Sequence, residues 1–241
     1  LGADEAPRKA ESVKRKAEEA KEEEKGTSEK KEQTVEDIKQ ELKKLELPLY
    51  FFDYETLAPA IPIFDGYHPY QRIPFQFSLH VLSKGDKLSH IEYLHEERSD
   101  PSEKVAQLLE QYIPLGGTII AWNKSFEEGV NRELGLRLPS YREVLGKMDS
   151  MFYDLREIFQ KQHYVHPEFR GGTSIKKVLP ALIPNMQYKN LGIHDGGQAS
   201  DAWWTMISPA TSSDEKAKIA HNLKEYCGFD TYAMYEIWKH L

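Results

Sequence analysis

The chain has 241 residues, a formal net charge of −7 at pH 7 and one cysteine, which suits one large domain plus an appendage. A lone cysteine excludes an internal disulfide framework and points to a reducing, cytoplasmic compartment; no apolar run is long enough to cross a bilayer or to form the core of a signal peptide. The negative charge argues against broad coating of nucleic acid, but not against a nuclease, where bound metal supplies its own positive charge.

Residues 1–33 are rich in Ala, Glu, Lys and Arg and contain no aromatic. Runs such as Lys14-Arg15-Lys16 and Glu22-Glu23-Glu24 leave no apolar stripe to bury, so the segment reads as a solvated charged helix or a disordered tether. A basic nucleic-acid arm is the weaker reading, because adjacent acids cancel its field. The first residue is Leu1 rather than Met, which fits a piece of a longer protein.

The folded part is expected over residues 34–241. Thr34 with Asp37 resembles a capping box, and Val35, Ile38, Leu42 and Leu45 have helical spacing. Pro48 ends that helix and hands over to Leu49-Tyr50-Phe51-Phe52-Asp53-Tyr54-Glu55-Thr56, an aromatic run that reads as a buried central strand. Strand side chains alternate, so Leu49, Phe51, Asp53 and Glu55 share a face. Two adjacent acids at a buried strand end repel each other and lose hydration, which a cation between them would relieve. A strand end reaching solvent is the plainer explanation of such a pair.

A long loop, Ala58 to Pro74, follows the acids. Phe75 to Val81 reads as a second strand whose polar face carries Gln76, Ser78 and His80, with His80 a hydrogen-bonded face residue rather than a metal ligand. A third strand is expected near Ile91 to Leu94, a helix from Asp100-Pro101 through Tyr112, and a buried strand from Thr118 to Trp122. Asn123 then suits a helix N-cap, with Phe126 and Glu127 near the first turn. A carboxylate there is also ordinary dipole complementarity. Met151 to Tyr153 reads as a fifth strand, with Asp154 capping a helix from Leu155 to Gln162. Gly171-Gly172-Thr173-Ser174 turns into a helix from Ile175 to Leu182, where Lys176 and Lys177 fit a phosphate site or a solvated basic face equally well. Ala199 to Ile207 is a further helix carrying Trp203-Trp204. Strands alternating with helices over these lengths predict an α/β fold.

The last helix, starting at Ser213 or Asp214, has an apolar stripe of Leu223, Cys227, Met234, Ile237 and Leu241. Asp230 falls inside it, with Tyr226 one turn earlier and no Lys or Arg on the stripe. An acid facing a core needs a partner cation or a metal.

Four acids therefore stand out: Asp53, Glu55, Glu127 and Asp230. Phe52-Asp53-Tyr54-Glu55-Thr56, Asn123-Lys124-Ser125-Phe126-Glu127 and Tyr226-Cys227-Gly228-Phe229-Asp230, in that order, resemble the three motifs of DnaQ-like 3′–5′ exonucleases in their tyrosine form. Glu127 stands where the second motif usually has Asp. More narrowly, the run from Pro48 to the C-terminus is similar to an uncharacterised bacterial domain family of this superfamily. Pro59-Ala60-Ile61-Pro62, Pro74-Phe75-Gln76-Phe77-Ser78-Leu79-His80 and Ser174-Ile175-Lys176-Lys177-Val178-Leu179-Pro180 carry that likeness.

The resemblance implies a ribonuclease-H-like mixed five-stranded sheet flanked by helices. It implies hydrolysis of DNA or RNA, with two Mg²⁺ or Mn²⁺ ions about 3.5–4 Å apart held by Asp53, Glu55, Glu127 and Asp230. Such hard ions suit a ligand set of oxygens without thiol or imidazole. Tyr226 would orient the attacking water; Thr56, Leu57, Asn123 and Phe126 would flank the terminal nucleotide; Ser174 and Lys176 would meet phosphates. In that family a Cas4-like nuclease domain often precedes this one, which would make residues 1–33 an interdomain tether. Two alternatives stay open: a nucleic-acid-binding module whose catalysis has decayed, and an interaction domain in which the acids form a structural polar network.

Overall fold

The computed structural model describes residues 36–241; the charged segment over 1–33 and Thr34 lie outside the described residues. Residues 36–42 form helix α1. The elements that follow are β1 (Leu49–Leu57), β2 (Ile73–Ser83), β3 (Lys87–Leu94), α2 (Ser102–Tyr112), β4 (Thr118–Ala121), α3 (Lys124–Arg137), α4 (Arg142–Asp149), β5 (Phe152–Asp154), α5 (Glu157–Gln160), α6 (Ile175–Leu182), α7 (Gly196–Met206) and α8 (Ser213–His240). The fold is α/β, with a five-stranded sheet in the order β3-β2-β1-β4-β5. β2 runs antiparallel to its neighbours β1 and β3, whereas β4 and β5 run parallel to β1, so the sheet is mixed.

Alternation along β1 sets the two layers. Leu49 and Phe51 face a core built with α1, α5, α6, α7 and α8, including Ile38, Phe159, Leu179, Trp203 and Met234. Tyr50, Phe52 and Tyr54 face a second core with α2, α3 and α4, including Leu109, Val130 and Met148. β1 is central and buried because both faces carry aromatic or aliphatic side chains, as its sequence predicts. No described helix is long and apolar enough to cross a membrane.

The polar face of β2 is used to seat α8. Gln76 Nε2 donates to the Leu223 carbonyl, and Thr231 Oγ1 shares hydrogen bonds with Ser78 Oγ and His80 Nδ1. His80 is thus the hydrogen-bonded face residue expected, with the His90 ring stacked on it at 4.1 Å. Burial and the neighbouring His90 push its pKa down to about 4.

Several boundaries differ from expectation. β2 and β3 are longer, because they form one hairpin paired from Gln76↔Leu94 to Ser83↔Lys87. The helix expected over Leu155–Gln162 contracts to α5, and α4 occupies a short charged stretch that carried no clear period. Asp154 does not cap the helix that follows it, whose N-cap position is Arg156 with no side-chain cap. Its carboxylate accepts from the backbone N–H of Lys124 at 3.2 Å and of Arg156 at 3.0 Å. Asn123 stands at the N-cap position of α3 but its side chain does not cap the helix; the carboxylate from β5 serves instead. Both edges of the sheet are modest: β5 has three residues, and β3 exposes Lys87, Ser89, His90 and Glu92.

Candidate metal centre

β1 and β4 are parallel, with Phe51 paired to Ile120, so their C-terminal ends open at the same side of the sheet. Asp53 and Glu55 follow on β1, and the first turn of α3 follows β4. From the other layer, α8 brings Tyr226 and Asp230 over β1, where Cys227 Sγ lies 3.9 Å from the Asp53 carbonyl. Four carboxylates from three elements thus converge.

Asp53 and Glu55 have carboxylate oxygens that lie, together with Cys227 Sγ, within 4.8 Å of one another. Among the described residues, Glu127 and Asp230 fall outside that set and flank it. A thiol beside the acids departs from the expected all-oxygen surroundings. Burial, then Asp53, Glu55 and Asp230, push the Cys227 pKa well up, so it sits there as a neutral thiol rather than a thiolate.

The electrostatics are those of crowded, dehydrated acids. Burial raises the pKa of Asp53 well above the usual carboxylate range, and the charges of Asp230, Glu55 and Glu127 raise it further. Glu55 is raised well up by burial and by Asp230. Glu127 is pushed up to about 8 by burial, against its own backbone N–H and the charge of Arg72. Asp230 is pushed up to about 6, again by burial, while the hydrogen bond from Tyr188, the charge of Lys176 and the neighbouring Tyr226 hydroxyl hold it back. Glu127 Oε2 is fully buried and has no hydrogen-bond partner. A buried carboxylate oxygen without a partner is costly, and a bound cation would satisfy it.

Two clefts share Asp53, Phe126, Tyr226 and Asp230. The first, of ≈ 240 Å³, adds Glu127, Asn123, Trp122, Ile175, Lys176 and Met234. The second, of ≈ 360 Å³, adds Glu55, Thr56, Gly196, Gly197 and Ser200. Lys176 supplies the missing cation from α6: its Nζ donates to the His194 carbonyl and stands 5.4 Å from both the Tyr188 and the Tyr226 rings. Its charge opposes the pKa rise of Asp53, Glu55 and Asp230. Two expected residues line neither cleft. Leu57 packs partly buried against the core, and Ser174 is exposed at the start of α6.

Sequence reasoning missed Tyr188, whose hydroxyl donates to Asp230 Oδ1. It lies on a one-turn helix between α6 and α7, in a stretch with no periodic pattern, so nothing local marks it. It also missed Gly196, where a Cβ would stand 3.6 Å from Glu55 Oε2; the Gly196-Gly197 pair was the available signal. Phe126 is seated by Arg72, which is clamped by Glu133 (2.6 Å) and donates to the Phe126 carbonyl.

Comparison with known proteins adds kinship without chemistry. An uncharacterized protein of Mycoplasma genitalium is 26% identical over 218 residues, covering 83% of this chain and 32% of that protein. Its homolog in Mycoplasma pneumoniae is 26% identical, covering 83% of this chain and 33% of its own. An uncharacterized protein of Ureaplasma parvum is 24% identical, covering 79% and 31% respectively. The chain thus spans about a third of the length of these curated relatives. No solved structure matches. A family model described as a domain of unknown function matches residues 50–174, more than half of the chain, from β1 through the first two acidic segments to the start of α6. The chain therefore belongs to that family, DUF2779.

Proposed function

We propose that this domain is a metal-dependent nuclease, a 3′–5′ exonuclease acting on DNA or RNA, with a ribonuclease-H-like fold. One observation carries the reading: Glu127 Oε2 is buried without a partner on the wall of a cleft whose other walls hold Asp53 and Asp230. Hard oxygen donors, raised carboxylate pKa values and a single nearby lysine fit divalent ions such as Mg²⁺ or Mn²⁺. The mixed five-stranded sheet with helices on both faces agrees with the proposed fold.

Asp53, Glu55, Glu127 and Asp230 would hold the ions. When bound, they would lower the pKa of water and offset charge on the phosphate. The chain's own residues supply the rest. Burial and the charges of Asp230, Glu55 and Asp53 push the Tyr226 pKa far up, so its hydroxyl keeps its proton and orients water as a hydrogen-bonding group rather than acting as a base. Lys176, at the first cleft, is placed to meet a phosphate oxygen. Thr56, Asn123 and Phe126 line the space for a terminal nucleotide, and the pinned Arg72 keeps the Phe126 ring in place.

The test is release of nucleotide from oligonucleotides labelled at the 3′ or the 5′ end, as DNA and as RNA, with Mn²⁺. Release should begin at the 3′ end in the wild type and be lost in Asp53→Asn. Absence of cleavage on every substrate, or equal cleavage by Asp53→Asn, would overturn the assignment.

A further inference from the structure

A second cavity, of ≈ 310 Å³, lies between α3 and α4 and shares no lining residue with either carboxylate cleft. Its volume falls at the lower end of the range of small-molecule sites, about 300–1,000 Å³. One wall is built rigidly. Asn131 is 1% exposed; its Oδ1 accepts from Tyr54 Oη at 2.7 Å and its Nδ2 donates to Asp149 Oδ1 at 2.8 Å. That leaves Asp149 Oδ2 as a fixed acceptor at the cavity.

The cationic side of the cavity is only partly engaged. Arg142 donates through Nε to the Gly135 carbonyl at 3.0 Å, which fixes the guanidinium and leaves its terminal nitrogens available. Neither Arg142 nor Arg132 makes an ion pair within 4.0 Å among the described residues, although the charge of Arg132 opposes the rise of the Asp149 pKa that burial causes. The acids of the lining are already engaged: Glu128 with Lys124 at 3.5 Å and Asp149 with Asn131. Gly146 leaves open space, since a Cβ there would meet nothing within 4 Å. Leu136 adds an exposed apolar rim.

Two guanidiniums with donors to spare recognise a phosphate, a fixed carboxylate oxygen recognises a hydrogen-bond donor, and an apolar rim suits a flat ring. From this arrangement we infer that the α3–α4 cavity binds a small phosphomonoester that also carries hydrogen-bond donors, of the size and chemistry of a nucleoside monophosphate. The inference is independent of the nuclease reading, since the site uses none of the carboxylates assigned there.

The experiment is calorimetric titration of the full chain, in EDTA so that the carboxylate cleft carries no ion, with inorganic phosphate, ribose 5-phosphate, AMP and GMP. Saturable binding is expected, tighter for at least one nucleotide than for ribose 5-phosphate, and weakest for phosphate. Arg132→Gln and Arg142→Gln should each weaken it about 10–100-fold, the loss of one charge-assisted hydrogen-bonding group. Gly146→Leu, a helix-favouring change into open space, should fold and abolish binding, while Asp53→Asn should bind as wild type. No saturable binding, equal affinity for phosphate and the nucleotides, or affinity unmoved by Gly146→Leu and both arginine changes would overturn the inference.

Discussion

Two tyrosines stand beside Asp230, and their roles are separable. Tyr188 reaches it from the one-turn helix between α6 and α7 and orients the carboxylate, whereas Tyr226 also lines both clefts. Tyr188→Phe is therefore expected to lower Mn²⁺ affinity about 10–100-fold, as losses of a ligand's outer partner do, with turnover restored at saturating metal. Tyr226→Phe should instead leave metal affinity near wild type and reduce kcat by about 10–10⁴-fold. Metal titration followed by single-turnover cleavage distinguishes them; identical profiles would refute the division. The same acids set a pH dependence. Glu127 titrates at about 8 in the fold against an ordinary value of 4.5, so over that window the folded chain binds more protons than the unfolded chain. Stability of the metal-free protein therefore falls as pH rises through it. His80, held at about 4 by burial and His90, acts oppositely, but only below its ordinary pKa of about 6.5. Between about pH 6.5 and 8.5 the melting temperature in EDTA should decline; saturating Mn²⁺ should flatten the decline, and Glu127→Gln should lessen it, Asp53 and Glu55 keeping their share. An equal slope for the metal-free wild type and Glu127→Gln would show that Glu127 is not a dehydrated acid.

The element that matters most for the site is α8, because it alone brings Tyr226 and Asp230 across the sheet. Its seat on β2 is polar: Thr231 Oγ1 serves both Ser78 and His80. Thr231→Val keeps the shape and strands both partners, so it should cost about 1–3 kcal/mol in urea unfolding and reduce turnover as well. Thr231→Ser should stay close to wild type; if valine is as stable as serine, packing rather than hydrogen bonding seats the helix. The stripe of α8 was legible in the sequence, and so was the anomaly of Asp230 within it, because helical periodicity is a local property. The cap of α3 was not. Asn123 is a good capping residue by type, yet Asp154, 30 positions beyond Lys124 whose N–H it accepts, takes the role, and only strand pairing brings it there. Tyr188 was hidden for the same reason: its partner is 42 residues away and its own surroundings are irregular.

For the whole molecule, the order of strands and helices was readable from alternation and punctuation, and the three acidic segments marked where they converge. What could not be read was how charge is balanced there. Lys176 was ambiguous between a phosphate site and a solvated face until α6 was placed against α8. Among the described residues that lysine is the cation set against Asp53, Glu55 and Asp230, so divalent metal should act as a structural ligand. A concentration one hundred times Kd would add about 2.7 kcal/mol to stability, seen as a rise in melting temperature in the wild type and a much smaller one in Asp53→Asn. Equal rises would place the metal elsewhere.

The sheet also ends in a way that bears on life inside a longer chain. An unpaired strand edge invites another chain to add to it, and proteins blunt such edges with shortness or charge. Here β5 offers three residues, and β3 presents Lys87 and Glu92 along its length. A domain finished in this manner can be joined to further sequence, as in relatives about three times its span, without its edge strands recruiting neighbours into shared sheets or seeding aggregates.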